Sequence, residues 1–380
     1  MKKLFAYTFL VLSVLSCAEK QVQPEAVPAV ISFAVPEVME TKSVLIENVS
    51  QLQSGADELG FAVFASRYTP EDDGAIGHDH SQFMDDVKIY STDGGNTWKY
   101  DADPGVDGNQ SFYWSPGAVH KFFAVYPYCD ESSDEYDLGL SYSIPEGVHA
   151  LQVTGDVPHD SETYICAGGA MCPDILYGVE KFSEPYSVLQ DRGPISFKLA
   201  HALSAVSFRF RNASEDDIIA VGISDPLDPT NSSKVSDMLV EGFRNASKYV
   251  RLSEEGAQWG TLTNIDDYTF TVNRFYDTGS PISSGESYPS SESFWYTALM
   301  IPQDFGKDSP SFSFDVFFKE LGPQHYTINF KDYQVHNTPE YAFSFRPGYH
   351  YVYNLNVTAR AISCHVEVVP WIEDEPIKLN

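Results

Sequence analysis

The chain has 380 residues and a formal net charge of −30 at pH 7, from 54 acidic and 24 basic side chains. A surface of this charge repels phosphate backbones and argues against nucleic acid as a partner. Aromatic residues make up 14% of the chain, and tyrosine and phenylalanine far outnumber methionine. This composition favours β-structure, in which aromatic side chains pack across neighbouring strands. The length leaves room for two domains.

The first 16 residues have the pattern of an export signal. Met1-Lys2-Lys3 is basic, an apolar run follows to Ser16, and Cys17 comes directly after that small residue. The run is shorter than the ~20 residues that a membrane span needs. We therefore predict a lipoprotein signal peptide over residues 1–16, with palmitate or a similar lipid on Cys17. A secretory signal with an incidental cysteine is the alternative.

Residues 17–30 are polar, contain two prolines and are predicted to form a flexible tether. The next segment alternates large and small side chains before Pro36, which predicts a short first strand over residues 31–35. A polar loop with Lys42 and Ser43 follows.

A hairpin is predicted where Val87–Tyr90 leads into the turn Asp93–Asn96 and out through Trp98–Tyr100. Residues Ser91–Trp98 also fit the Asp-box, S-x-D-x-G-x-T-W, of sialidase propeller blades. Functional sialidases carry several copies and an arginine cluster, whereas here the nearest arginine to the single copy is Arg67. We interpret the motif as a structural turn and keep a sialidase as the enzymatic alternative.

Other chemical signals are weak. His78 and His80 flank one aspartate without a third ligand nearby, and the acidic loop Asp130–Asp137 lacks the spacing and glycine of an EF-hand. Both are interpreted as solvated loops. Glycine-rich phosphate loops, HExxH, GxSxG and CxxC are absent from the sequence, and no nucleophile–base pair stands out. We predict no enzyme, with no catalytic residue, metal or cofactor.

Four cysteines remain after Cys17, and their spacing matches no zinc pattern. Either they are free buried thiols, or two of them form one disulfide. They are Cys129, Cys166, Cys172 and Cys364.

The second half begins after a stretch without periodicity, residues 183–194, where we place the domain boundary. Ile195–Arg211 is predicted as one long strand with a bulge near Ser204, because the apolar positions change parity there. A helical start up to Ala205 stays open. Further strands are predicted at residues 60–66, 122–126, 174–178, 296–301, 311–318, 326–330, 349–357 and 362–369. Such strands, separated by turn residues, predict two antiparallel β-sandwiches in series, over residues 31–185 and 194–380.

The order of several soft motifs resembles the fimbrillin family nearly from end to end. The motifs are Phe112-Tyr113-Trp114 before Pro116-Gly117, Phe122–Pro127, Asp174–Gly178, Phe197–Leu199 with His201–Ser204, Leu299–Gln303, Pro347–Tyr351 and Val369–Trp371. The resemblance implies two transthyretin-like β-sandwich domains. It also implies export as a lipoprotein to the outer membrane and proteolysis after an early Arg or Lys. A strand from the next subunit then fills the groove that the removed strand leaves.

In this sequence the resemblance places the cut at Lys42 and Ser43. No arginine precedes Arg67, so a Lys-tolerant protease is needed, and an ordinary loop cation at Lys42 is the alternative. The displaced strand would carry Ile31, Phe33 and Val35. The candidate donor strand would carry Ile362, Cys364, Val366 and Val368.

We therefore predict a structural or adhesive subunit of a fimbria, lipid-anchored in the outer membrane at the cell surface. Its partners would be other fimbrial subunits and a host protein or glycan. The alternative is a monomeric surface-anchored adhesin or glycan-binding lipoprotein, in which exposed Trp98 or Trp114 stacks on sugars and both edge segments are permanent strands.

Overall fold

The computed structural model describes residues 28–38, 49–55, 57–69, 81–100, 111–129, 139–145, 148–167, 174–222, 239–241, 243–265, 281–288, 297–304, 311–329 and 344–370. Within these ranges the chain forms β-strands and one three-residue 3-10 helix, Val49–Gln51, and no α-helix. The predicted all-β class is confirmed. No helix in these ranges has the length and apolar character needed to cross a membrane.

The strands fall into two groups along the chain. Strands β1 to β12 occupy Glu37–Val38, Gln53–Gly55, Glu58–Tyr68, Ser81–Ser91, Lys99–Tyr100, Val119–Tyr126, Leu140–Ser143, Leu151–Gly155, Val157–His159, Glu162–Cys166, Leu176–Phe182 and Lys198–His201. Strands β13 to β27 occupy Ser204–Asn212, Ile218–Gly222, Leu239–Glu241, Ala246–Ser247, Tyr249–Ser253, Gly256–Trp259, Leu262–Thr263, Ser287–Tyr288, Thr297–Met300, Gln303–Asp304, Ser311–Phe318, Gly322–Asn329, Ser344–Phe345, Tyr349–Val357 and Ile362–Pro370.

The first half is built around a central sheet of order β1-β12-β11-β6-β3-β4-β5, with β2 also paired to β3. Strands β11, β6 and β3 are antiparallel neighbours, and every residue of β6 is buried. Both faces of the sheet are covered, which explains why β6 is a nearly continuous apolar run. One face packs on the tryptophan core, which includes Phe61, Trp98, Trp114, Phe122 and Phe197. The other packs on the hairpin core, which includes Phe64, Phe123, Val153, Val250 and Leu252.

Strands from before and after residue 194 both contribute to the hairpin core. Strand β8 pairs with β7 and with β17, giving a sheet of order β18-β17-β8-β7. Leu151 lies opposite Leu252 in this pairing, and both leucines are fully buried. The small sheet of order β19-β16-β10-β9 joins the same two regions. Residues 246–263 therefore complete sheets that the first half begins.

The second half contains two larger sheets and the two-stranded sheet β22-β25 around an aromatic core. One of the larger sheets has the order β20-β13-β26-β27 with β21 also on β13, and the other has the order β14-β23-β15 with β24 on β23. The ring centroids of Phe208 and Phe312 are 4.7 Å apart, and those of Phe210 and Phe314 are 5.4 Å apart. These edge-to-face contacts join β13 to β23, so the two sheets pack across this aromatic core. The alternation predicted for β26 is confirmed, because Tyr351, Tyr353, Leu355 and Val357 all lie in it.

The predicted long strand Ile195–Arg211 is divided in two. Strand β12 belongs to the central sheet, whereas β13 belongs to the second half, and neither a bulge at Ser204 nor a helical start is present between them. The change of parity has a different cause from the one predicted, since Leu199 enters the tryptophan core and Val206 enters the aromatic core. The chain changes sheets at the buried pair Ala202-Leu203.

Candidate functional site

The N-terminal segment, residues 29–38, lies at the edge of the central sheet between two other parts of the chain. On one side the amide of Ile31 donates to the carbonyl of Phe112 at 2.8 Å. On the other side the amide of Ala34 donates to the carbonyl of Ile195 at 2.8 Å, and the Ile195 amide donates back to the segment at the same distance. Strand β1 then runs parallel to β12 and ends the strand order. Strand β1 is thus the outermost strand beside β12, whereas residues 29–34 are hydrogen-bonded on both sides.

The predicted first strand differs in detail from this arrangement. Residues 31–35 are extended chain, held by an antiparallel bridge at Val30 and a parallel bridge at Phe33, and regular pairing starts only at β1. Pro36 separates the two parts and has no N–H to donate to a ladder. The segment therefore docks through single bridges before the proline and through a short parallel ladder after it.

Two of the three side chains predicted to anchor the segment are buried. Ile31 is fully buried and Phe33 is 6% exposed, whereas Val35 is 45% exposed. Beyond Pro36 the burial changes phase, and Val38 is buried instead. The anchors that the structure assigns to the segment are therefore Ile31, Phe33 and Val38.

Aromatic side chains form the floor beneath the segment. The ring of Phe33 lies 5.9 Å from that of Tyr100, edge to face, and 6.2 Å from that of Phe197, stacked. The Tyr100 hydroxyl donates to the carbonyl of Ile31 at 3.0 Å and accepts from the amide of Phe112 at 3.2 Å. Burial raises the pKa of Tyr100, so this hydroxyl stays protonated and can donate.

The surface that the segment covers has an apolar floor and backbone groups that pair with the segment. Without the segment, the Trp114 amide, which donates to Ala29 at 3.0 Å, and the groups of Ile195 would lose their partners. A sheet edge of this kind is a template for the addition of another strand. We call this surface the N-terminal groove; it is lined by Tyr100, Phe112, Trp114, Ile195 and Phe197.

The candidate donor strand is β27, at the edge of the sheet of order β20-β13-β26-β27 in the second half. Strand β27 pairs with β26 over nine residues and ends the order of its sheet. Val366 is buried in the aromatic core, and Ile362, Cys364 and Val368 pack against that core. Burial raises the pKa of the Cys364 thiol to about 12, so the thiol stays protonated. All four predicted anchors therefore face the core of their own chain.

Three predicted site residues lie outside the described ranges. They are the lipidation residue Cys17 and the candidate processing residues Lys42 and Ser43. The histidines His78 and His80 and the acidic loop 130–137 also lie outside them. Among the residues that are described, no three His, Cys, Asp or Glu side chains come together as metal ligands. Of the cysteines, Cys129, Cys166 and Cys364 are described, and no two of these three form a disulfide with each other.

The Asp-box sequence forms a self-contained turn between β4 and β5, as predicted. The Asp93 carboxylate accepts hydrogen bonds from the Thr97 amide (2.9 Å), the Thr97 hydroxyl (2.6 Å) and the Ser91 hydroxyl (2.7 Å). The indole N–H of Trp98 donates to the carbonyl of Gly95 at 3.0 Å. The carboxylate is therefore occupied with closing the turn.

Those hydrogen bonds, chiefly from Thr97, lower the pKa of Asp93 from 3.8 to about 2. A lowered folded-state pKa stabilises the turn above pH 4, and this stabilisation is lost as the pH falls toward 2. We expect Asp93→Asn to lower the urea midpoint near neutral pH, with a difference from wild type that shrinks toward pH 2. Glu255→Gln, at an exposed acid outside the turn, is the control. A difference that does not depend on pH would contradict this assignment.

The suggestion that Trp98 or Trp114 stacks on sugars is wrong. Trp98 is 8% exposed and Trp114 is 2% exposed, and both belong to the tryptophan core. Trp114 stacks on Tyr186 at 5.6 Å, and Arg192 lies over its ring at 5.3 Å. These aromatic faces are occupied within the fold.

The partners of the N-terminal segment were missed in the sequence. Ile195 and Phe197 were assigned only to the start of a second-half strand, although they pair with and underlie the segment. One signal could have found them, because Ile195-Ser196-Phe197 repeats the tripeptide Ile31-Ser32-Phe33. The two copies run parallel, with Phe33 opposite Ile195.

Comparison with solved structures finds distant likenesses. A fimbrial protein from Bacteroides vulgatus is 14% identical with a TM-score of 0.49, covering 89% of this chain and 99% of that chain. A fimbrial assembly protein from Parabacteroides distasonis is 11% identical with a TM-score of 0.34, covering 84% and 94%. The tip fimbrial protein Mfa3 from Porphyromonas gingivalis, with a C-terminal truncation, is 10% identical with a TM-score of 0.35, covering 82% and 94%.

No curated protein matches the chain. The sequence profile of one family, described as Fimbrillin-like, matches residues 49–371. This match extends from the 3-10 helix to the residue after β27. Since it spans most of the sequence, the chain belongs to the Fimbrillin-like family.

Proposed function

We propose that the chain is a structural and adhesive subunit of a cell-surface fimbria, in which the N-terminal segment is exchanged for a strand of a neighbouring subunit. Family membership supports the fimbrial role. The observation that carries the exchange is the docking of residues 29–38 at a sheet edge, through backbone hydrogen bonds and a few buried side chains. The role requires no catalytic residue and no cofactor. Two transthyretin-like domains are part of the same proposal, and the separate aromatic core of the second half supports them.

Processing would open the N-terminal groove in one step. In the proposal, lipid on Cys17 delivers the chain to the outer membrane, and a protease then cuts between Lys42 and Ser43. This bond lies in sequence between the N-terminal segment and the 3-10 helix at Val49. A cut there would therefore free the whole segment and leave the rest of the central sheet in place.

The energetics of docking are compatible with replacement. Burying Ile31 and Phe33 contributes about 1.5–3 kcal/mol each, and each backbone hydrogen bond contributes about 0.5–1.5 kcal/mol. A donor strand with similar anchors recovers these contributions in the same groove. Strand β27 carries four such anchors, but it must first leave β26 of its own chain. That requirement favours exchange during assembly over exchange in the finished monomer.

Limited digestion with a trypsin-like protease tests the proposal. We expect the wild-type chain to yield a product that begins at Ser43 and forms polymers, measured by mass spectrometry and size-exclusion chromatography. Lys42→Ala should remain monomeric, because the segment stays covalently attached. Lys319→Ala removes a different exposed lysine and should behave as wild type. Equal polymerisation of the Lys42→Ala variant would refute the cut at Lys42.

A monomeric surface-anchored adhesin is the second candidate function. The nine-residue pairing of β27 with β26 favours it, because the candidate donor is already docked in its own chain. The two candidates predict different N-termini on the cell surface. A lipid-bearing Cys17 supports the monomeric adhesin, and Ser43 supports the processed subunit.

A further inference from the structure

A polar pocket lies on the sheet of the second half, on the face opposite the aromatic core. It forms where β20, β13 and β26 lie side by side, and its volume is about 320 Å³. We call it the outer-face pocket; its polar side chains are Arg209, Arg211, Ser287, Asn354 and Asn356.

Strand register brings these side chains together. Phe208 and Phe210 enter the aromatic core, so alternation turns Arg209 and Arg211 to the opposite face. The parallel pairing of β13 with β26 sets Arg209 beside Asn354, and the next pair along is Arg211 and Asn356. On the other side of β13, Ser287 lies opposite Arg211. Neighbouring strands are about 4.8 Å apart, so the polar ends converge on one recess.

Hydrogen-bond donors in the pocket lack acceptors. Nε of Arg209 and Nδ2 of Asn354 are both buried and have no hydrogen-bond partner in the described part of the protein. Neither Arg209 nor Arg211 forms an ion pair with a described carboxylate, although the chain has 54 acidic side chains for 24 basic ones. A buried donor without a partner is costly, and a ligand that brings acceptors removes this cost.

We propose that the outer-face pocket binds a carboxylate-bearing sugar residue. The planar fork of an arginine matches a carboxylate with two parallel hydrogen bonds. The Asn and Ser side chains can both donate to and accept from sugar hydroxyls. The volume is at the lower end of the range for small-molecule sites, which suits one monosaccharide. The pocket lies on a sheet face, and a strand from another chain would instead pair along an edge.

Binding to the full chain tests this assignment, with methyl β-D-glucuronide and methyl β-D-glucoside as probes and titration calorimetry or ligand-observed NMR as the measurement. The two sugars differ only in the carboxylate that replaces the hydroxymethyl group. We expect the glucuronide to bind about tenfold or more tightly than the glucoside, as one charge-assisted pair provides. The pocket contains no residue of the N-terminal segment or of β27, so glucuronide binding by the unprocessed full chain can be measured whether or not subunits exchange strands.

Matched variants localise the binding. Arg211→Gln should weaken glucuronide binding by about tenfold or more. Arg360→Gln removes an exposed arginine at the β26–β27 turn, with the same loss of charge, and should bind as wild type. Asn354→Asp places a negative charge in the recess and should abolish binding. Circular dichroism and thermal melts verify that each variant folds. If Arg211→Gln or Asn354→Asp does not fold, Asn356→Asp is tested in its place.

Several outcomes would overturn the proposal. They include equal binding of the two sugars, no binding of either, and full binding by Arg211→Gln. Acetate that competes as well as the glucuronide would show a bare carboxylate site and remove the sugar from the assignment. Self-association of the chain that Arg211→Gln abolishes, without sugar binding, would show that the acceptor is an acidic group of a second copy.

Discussion

Replacing Phe33 with alanine is expected to release the N-terminal segment and to lower the free energy of unfolding by about 3 kcal/mol or more. Phe33 is buried between Tyr100 and Phe197, so its removal leaves a cavity in the floor of the N-terminal groove. Hydrogen exchange measures the release directly. The amide of Ala34 donates to the carbonyl of Ile195, and the amide of Ile195 donates to the carbonyl of Ser32. Both amides should therefore exchange faster in the variant.

Val35→Ala is the matched control within the same segment. Val35 is 45% exposed, so its truncation should change stability by no more than about 0.5 kcal/mol. The exchange of Ala34 and Ile195 should then stay at the wild-type rate. If Phe33→Ala and Val35→Ala have equal effects, the segment is not held by its buried side chains, and the energetic part of the exchange proposal fails.

Replacing Leu252 with alanine is expected to destabilise the protein by about 2–5 kcal/mol and to loosen the first half of the chain. Leu252 lies in β17, far along the sequence, yet it is fully buried opposite Leu151 of β8. Its removal leaves a cavity in the hairpin core above the central sheet. Amide exchange in β8 and unfolding in urea are the measurements.

Leu321→Ala makes the same chemical change at a turn between β23 and β24. Leu321 is 56% exposed, and we expect a change of no more than about 0.5 kcal/mol. Faster exchange in β8 should appear only in Leu252→Ala. If β8 keeps its protection in that variant, β17 contributes little to the first half, and the sheet would not depend on residues after 194.

Local patterns in the sequence predicted much of the strand structure. The alternation from Tyr349 to Val357 predicted which face of β26 enters the aromatic core, because successive side chains of a strand point to opposite faces of the sheet. The Asp-box turn was also predictable, since Asp93, Thr97 and Ser91 satisfy one another within seven residues of chain. In both cases the determining contacts are local or periodic.

The remaining differences come from contacts that are distant in sequence. The strand at residues 249–253 was not predicted, and no local pattern could indicate that its partner is β8 of the first half. Pro36 shifted the buried phase from Val35 to Val38, because the parallel pairing with residues 195–199 shifts by one residue there, from Phe33 opposite Ile195 to Glu37 opposite Lys198. The burial of Trp98 was missed because its indole N–H is satisfied locally, by Gly95, and so needs no water.

The change of sheets at Ala202-Leu203 has a mechanical consequence. Both residues are buried, and the indole N–H of Trp259 donates to the carbonyl of Ala202 at 2.9 Å. Leu203 packs in a small apolar cluster with Leu299 and Ile301. Bending at this joint would break that hydrogen bond and expose the cluster to water. A flexible linker, with few contacts, would bend without this cost. Under tension, the connection should therefore act as a stiff coupling that transmits load from the central sheet directly into β13.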